Sequence, residues 1–343
     1  MKFTIPFFFF LFLFIVAAAQ NKSQEYQKEG DKYFEEKEYQ KAIKKYDKAI
    51  ESDKKSISAY HARAMARIML KEYVDAIADF DMIISLDPQN EGAYLNRGNA
   101  KAQLKKYDEA ILDYDLAIKI YPKSSVPYYE KGKALFDQKK YDEALIWLSK
   151  SIELSDENAH AFYFRGRIYN IKNNRAAAIR DLSRVIALNP NYAPAYVIRS
   201  EVYRDSGLIQ LSIMDLERSV ELAPNNYLGK SNLGYIKMET GDLEGAIKIF
   251  EELIKMSPEI GYAYNNLGYA RFKQGKNEEA KTLITKSLKL NPDNSYANRN
   301  LAEIYIQEKD FSKACKEIEA ALSKGFTKSY GNEMTEWKAK HCK

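Results

Sequence analysis

Proline falls on a fixed grid in this chain. Pro88, Pro122, Pro190, Pro224, Pro258 and Pro292 are separated by a common step of thirty-four positions or a multiple of it, with Asp156 in the one internal slot that lacks proline. A period of this size points to stacked supersecondary units, each burying a face against the next, rather than to one globular core. Other columns keep the same step. Glycine or a small residue recurs at Gly30, Ala64, Gly98, Gly132, Gly166, Ser200, Gly234, Gly268 and Ala302. Alanine or serine follows twelve residues later, as at Ala42, Ala110 and Ala246, and an aromatic or aliphatic side chain four residues after that, as at Tyr46, Tyr114 and Phe250. Nine units of this length run from Ser23 to Lys328 without an insertion or deletion.

Each unit reads as two short amphipathic helices. In the eighth, Tyr264, Leu267, Gly268 and Arg271 share one stripe at the three-and-four spacing of a helix. A turn column follows at Gly207, Gly241 and Gly275, with Lys or Asn in the other units, where a left-handed residue is expected to end the first helix. Asp and Glu just beyond, as in Asp108-Glu109 and Asp142-Glu143, suit the first turn of a second helix, where the helix dipole favours negative charge. The combined pattern of aromatic, Leu-Gly, Tyr, Ala, Phe and Pro columns resembles the tetratricopeptide repeat. That resemblance covers nearly all of the chain after residue 22. It implies an all-α fold, a right-handed α-α superhelix of about nine helix-turn-helix repeats, closed by a C-terminal capping helix.

Residues 1–19 are different material. Lys2 precedes an apolar run from Ile5 to Val16, and Ala17-Ala18-Ala19 supplies small residues for cleavage, so this stretch is expected to be a secretory signal peptide with Gln20 as the first mature residue. The apolar run falls short of the roughly 20 residues a helix needs to span a bilayer, so no stable membrane span is expected after cleavage. The protein is therefore expected to be exported, to a periplasm or to the outside. In such a compartment the two cysteines, Cys315 and Cys342, favour a disulfide. It would pin residues 329–343 as a cap over the last repeat. The formal charge of +5 is small for 343 residues, and Lys and Glu are interleaved, which is the pattern of solvated helix faces and not of a nucleic-acid site. There is no phosphate-binding Gly-rich loop, no His-Glu-x-x-His and no Gly-x-Ser-x-Gly, so no enzyme activity, metal or cofactor is expected.

The repeats differ in one buried column. Arg63, Arg97, Arg165 and Arg199 each precede an Asp by sixteen residues, at Asp79, Asp113, Asp181 and Asp215. The first repeat inverts the charges as Glu29 and Lys45, and the seventh and eighth carry Leu233 with Ile249 and Leu267 with Leu283. Charge exchanged for charge and grease for grease predicts contact between the two helices of a repeat. On this criterion repeats 1–6 (23–226) form one class and repeats 7–9 (227–328) another.

A repeat helix needs one apolar stripe to pack, which leaves a second stripe for a ligand. Asn96, Asn232, Asn266 and Asn300 share one slot on that stripe; Asn99, Tyr129, Tyr163, Tyr235, Asn265 and Tyr269 lie beside it. Asn donates and accepts, so such a column can pair with the main chain of an extended peptide. It resembles the asparagine ladder of the O-linked N-acetylglucosamine transferases, although Lys28, Ala62, Glu130, Phe164 and Ile198 break it. The expected function is a non-catalytic scaffold that holds a peptide or partner helix in its groove, by resemblance in envelope assembly. A glycan-binding protein is the alternative, and self-association is a third use. Spacing separates the first two: peptide main chain asks for Asn in successive repeats, whereas a sugar asks for aromatics gathered in one pocket.

Overall fold

The computed structural model describes residues 7–342, with side chains from Gln20 onward. The signal peptide expected at residues 1–19 lies outside the residues so described. Among the described residues there are twenty α-helices and no strand. The first helices of the nine repeats are α1 (Phe7–Glu35), α3 (Ile57–Met69), α5 (Glu91–Gln103), α7 (Ser125–Asp137), α9 (Ala159–Ile171), α11 (Ala193–Asp205), α13 (Tyr227–Glu239), α15 (Gly261–Lys273) and α17 (Ser295–Gln307). The second helices are α2 (Tyr39–Ser52), α4 (Tyr73–Leu86), α6 (Tyr107–Ile120), α8 (Tyr141–Leu154), α10 (Arg175–Leu188), α12 (Ile209–Leu222), α14 (Leu243–Met256), α16 (Asn277–Leu290) and α18 (Phe311–Ser323). From α2 onward every start within these two series lies one repeat length after the last.

Local chemistry sets these boundaries. The left-handed turn residue lies where the column places it, at Gly207 (φ 75°), Gly241 (89°) and Gly275 (81°). Lys37, Lys71, Lys105, Lys139, Asn173 and Lys309 hold the same conformation, with φ from 57° to 62°, at a cost that glycine avoids. Second helices stop two residues before the proline column, as at Leu86 before Pro88 and Leu290 before Pro292. In every second repeat the next first helix is then capped by an asparagine side chain. The Oδ1 atoms of Asn90, Asn158, Asn226 and Asn294 accept from the backbone N–H three residues on, at 3.0–3.3 Å.

The small-residue column is where paired helices touch. A Cβ on Gly98 would sit 2.6 Å from the Tyr114 ring, and one on Gly268 would sit 2.6 Å from Ile284 and 3.0 Å from the Ala280 carbonyl. Alanines twelve residues on, such as Ala110 and Ala280, are completely buried, as are the large residues Tyr46, Phe80, Tyr114, Leu148, Leu182, Phe250 and Ile284. Within each unit the core therefore runs between the two helices of a repeat and the first helix of the next.

The helices form two compact units, one through Asn174 and the other from Arg175. The division falls between α9 and α10, and the change of core chemistry at 226/227 lies within the second unit. In the first unit α1 touches α3, α5 touches α7 and α7 touches α9; in the second, α13 touches α15 and α15 touches α17. Second helices make no comparable contact with one another. First helices thus lie side by side from α5 to α9 in the first unit and from α13 to α17 in the second.

Two further helices, α19 (Phe326–Tyr330) and α20 (Glu333–His341), close the C-terminus. Phe326 and Met334 bury themselves on Ala302, Ile318 and Ala321 of the ninth repeat, covering a face that would otherwise be left open. Cys315 on α18 and Cys342 just after α20 form a disulfide with their Cα atoms 5.5 Å apart. Among the described residues no helix is long and apolar enough to cross a membrane.

Candidate functional site

The first-helix face is underlain by buried ion pairs. Arg63 donates from Nε and Nη2 to Asp79, and Arg97 grips Asp113 with Nε at 3.0 Å and Nη2 at 2.6 Å. Arg199 holds Asp215 in the same bidentate way at 2.7 and 2.8 Å. The inverted pair Lys45 and Glu29 is also in contact, and Leu233 with Ile249 and Leu267 with Leu283 share apolar clusters. Arg165 lies in the first unit and Asp181 in the second. The Asp79 and Asp113 carboxylates, both almost fully buried, receive a second cation from Arg67 and Lys101 at 2.7 and 2.8 Å.

Each arginine also reaches backwards. Its Nη1 meets a residue sixteen positions earlier, on the second helix of the preceding repeat: Asp47 for Arg63, Asp81 for Arg97, Ser149 for Arg165 and Ser183 for Arg199, at 2.6–3.1 Å. Lys131 does the same with Asp115 while lying 3.7 Å above the Trp147 ring. One guanidinium therefore ties two repeats together, with an aromatic ring under it at Tyr60, Tyr94, Phe162 or Tyr196. Despite the cost of burial, these bonds raise the pKa of Arg63, Arg97 and Arg199 above the ordinary value.

In the first unit the candidate residues gather on α5, α7 and α9. Asn96 is half-buried, with its amide 3.5 Å from His61 Nε2, and burial lowers the His61 pKa. Tyr129 lies 6.1 Å from both His160 and Phe164, and Phe164 lies 5.2 Å from Phe136 and 5.6 Å from Tyr163. Arg167 covers Phe136, Tyr163 and Phe164 at 4.6–5.6 Å. This is a strip of partly exposed rings with a cation across it. Asn99, half-buried on α5, accepts the Tyr114 hydroxyl on its Oδ1 at 2.9 Å, which fixes the side chain within the repeat. Beside the strip, Glu130 occupies the ladder slot of the fourth repeat. Together with Lys133 and Asp137 it borders a cavity of about 210 Å³, and burial raises the pKa of both carboxylates against the pull of Lys133.

In the second unit the asparagine ladder is partly closed: Asn232 and Asn266 are half-buried, while Asn300 is withdrawn from the surface. Asn300 is completely buried and Asn265 nearly so; the Asn300 amide donates to Asn265 Oδ1 at 3.0 Å, and the Asn265 amide to Asn266 Oδ1 at 3.2 Å. Neither can meet a peptide main chain, which corrects their assignment to the groove. The reason is the C-terminal cap. Arg299, beside Asn300, donates to both Glu333 oxygens on α20 at 3.0 and 2.7 Å and stacks 5.0 Å from Trp337. It also contacts Glu303, Asn300 and the Tyr269 hydroxyl, while Tyr269 donates to Glu303 at 2.9 Å. These partners hold the Arg299 pKa well above the ordinary value. Asn232, half-buried, is 3.5 Å from Glu201, and Tyr235 instead lines a cleft with Tyr296 and Tyr330.

Profiles of the tetratricopeptide repeat match residues 30–71, 92–124, 127–158, 159–192, 193–226, 231–280 and 271–329, which is most of the chain. The chain belongs to the tetratricopeptide repeat family. Among solved structures, a tetratricopeptide repeat protein from Parabacteroides merdae superposes with a TM-score of 0.60 at 17% identity, over 73% of this chain and 99% of that one. The chain in the Cut9–Hcn1 hetero-tetramer of APC/C gives 0.56 at 18% identity, over 87% of this chain and 58% of that one. YrrB, described as a tetratricopeptide protein with an unusual peptide-binding site, gives 0.48 at 22% identity, over 54% and 95%. No curated protein sequence matches the chain.

Within this tetratricopeptide frame, sequence reasoning missed three sets of residues. The backward acid column, Asp47, Asp81 and Asp115, was visible as another charge recurring once per repeat. So were the capping asparagines, which recur in every second repeat from Asn90. Glu333 carried a fainter signal, since it stands one repeat length beyond Arg299 and takes the place of a tenth first helix.

Proposed function

We propose that this tetratricopeptide protein is an exported, non-catalytic scaffold that holds an extended segment of a partner protein against its first-helix face. The observation that carries the reading is the strip on α7 and α9: the rings of Tyr129, His160, Tyr163 and Phe164 in mutual contact, with Arg167 over Tyr163 and Phe164. Large flat side chains on a rigid base give contact area at little entropic cost, and aromatics with Arg are the residue types that dominate binding energy at interfaces. The base is tied to its neighbours because Lys131 on α7 and Arg165 on α9 each bond to the second helix of the preceding repeat. The partner is met by preorganised surface, so less of the binding energy is lost to ordering. The apolar leader supports export, and a disulfide at the C-terminus suits an oxidising compartment.

The test is co-purification from the source cells with mature chain, residues 20–343, beside a Tyr129→Ala/His160→Ala/Tyr163→Ala variant of unchanged helical signal. The reading expects a partner recovered with the parent and lost with the variant. Recovery of the same partner with both would overturn the assignment to this face.

A further inference from the structure

The second unit contains a cleft of about 700 Å³ that the scaffold reading does not use. It is lined by Arg204 at the end of α11, Ile209 on α12, Tyr235, Ile236 and Glu239 on α13 with Thr240 just after it, Tyr296 on α17 and Tyr330 on α19. The volume is in the range of small-molecule sites and exceeds what one side chain would fill. Tyr296 and Tyr330 meet edge to face at 5.2 Å, and Phe326 backs Tyr296 at 5.9 Å, so the wall is fixed from behind by the buried part of the cap.

The composition of the lining selects the ligand. Six of the eight residues carry polar side-chain atoms, and only Ile209 and Ile236 do not. The surface these residues present is therefore mixed, apolar over the tyrosine rings and the two isoleucines and polar at the side-chain tips. Arg204 and Glu239 cancel in charge, and Arg204 already donates to Asp205 at 3.2 Å, so neither an anion nor a cation is favoured. Three phenols present apolar ring faces and hydroxyl tips that both donate and accept. Burial pushes Tyr235 up, and Tyr296 up to about 12; both phenols, protonated at neutral pH even at their ordinary value, remain donors. A pyranose has the matching surface, an apolar C–H face bordered by hydroxyls of both roles. The main-chain alternative is weakened in this unit because Asn265 and Asn300 are buried.

We propose that the cleft between α11, α13, α17 and α19 is a binding site for a neutral oligosaccharide, its rings stacked on Tyr235, Tyr296 and Tyr330 and its hydroxyls paired with Arg204 and Glu239. This site is independent of the strip on α7 and α9, which belongs to the first unit. Because Tyr330 comes from the disulfide-pinned C-terminus, the site is complete only when the cap is docked.

The experiment titrates mature chain, with its disulfide intact, with chitotriose, cellotriose and maltotriose and with N-acetyltyrosine amide, following tyrosine fluorescence and calorimetry. Saturable binding of at least one trisaccharide is expected, with affinity lowered about tenfold by Tyr235→Ala and by Tyr330→Ala, the size of one lost aromatic contact. Tyr235→Phe, which keeps the fold and the ring, should give a smaller loss, and Tyr129→Ala none. No trisaccharide binding up to about 10 mM, beyond the weak millimolar range, would overturn the proposal. So would binding indifferent to the Tyr235 and Tyr330 changes, or saturation by the tyrosine amide alone, which would assign the cleft to a peptide side chain.

Discussion

The arginine ladder makes the sharpest stability prediction, because Arg97 faces two carboxylates in opposite environments. Asp113 is about 3% exposed and shares its charge with Arg97 and Lys101, whereas Asp81 is 54% exposed and touches only the far nitrogen of the same guanidinium. Removing Asp113 leaves two cations, each about 15% exposed, against a hydrophobic seam; breaking a buried pair in this way costs about 3 to 5 kcal/mol. Removing Asp81 deletes a solvent-screened contact worth about 0.2 to 1 kcal/mol. Asp113→Ala and Asp81→Ala should therefore differ severalfold in cost, although the two bonds have the same 2.6 Å length. A third variant tests the cause. Arg97→Leu/Asp113→Leu copies the Leu267 and Leu283 pair of the eighth repeat, and an apolar replacement of a buried pair is often neutral or stabilising. It should recover most of what Asp113→Ala loses. The assay is urea unfolding followed by far-ultraviolet dichroism, compared at constant m. If Asp113→Ala costs no more than Asp81→Ala, or if the double leucine is as damaging as the single change, burial is not what gives the pair its weight.

Other consequences can be checked in the same way. Glu130 has a folded pKa raised by burial, so the folded state holds its proton more tightly and stability falls as the pH rises through and above the ordinary Glu range near 4.3; Glu130→Gln should raise the melting temperature at pH 7 and flatten that dependence. Reducing Cys315–Cys342, which are 27 residues apart, should cost about 3 to 4 kcal/mol by loop closure and should increase hydrogen exchange in α17 and α20 first. At the turns, Lys105 holds φ at 60°, and Lys105→Gly should stabilise by up to about 1 kcal/mol, less the added freedom of the unfolded chain, whereas Gly275→Ala should destabilise by a similar amount.

The helices were legible because a repeat states each boundary nine times. One unit leaves a lysine at a turn ambiguous, but Lys105 stands one repeat length from Lys71 and from Lys139 and in step with Gly207 and Gly241, so the backbone conformation could be carried across the column. The Arg97–Asp113 contact was legible for the same reason, since the chain itself records its replacement by leucines. What a column cannot reveal is an interaction specific to one place. Asn300 and Asn232 share a slot, yet Asn300 is completely buried because α20 comes down on its neighbour Arg299 through Glu333 and Trp337. Reading every asparagine in that slot as a ligand contact assumed that each repeat has a repeat-like neighbour. The last one has a cap. The cleft walled by Tyr235, Tyr296 and Tyr330 was hidden for a related reason, since its third tyrosine lies outside the periodic part of the sequence.

Site-specific photocrosslinking tests the scaffold account most directly. A benzoylphenylalanine placed at His160, on the first-helix strip, is compared with one at Ile146 on second helix α8, which is 65% exposed. Crosslinks from position 160 to one discrete polypeptide, absent from position 146 and suppressed by Tyr129→Ala/Tyr163→Ala, are the predicted result. Equal crosslinking from both positions, or none from 160 while 146 reacts, would contradict the claim that partners are held on the first-helix face.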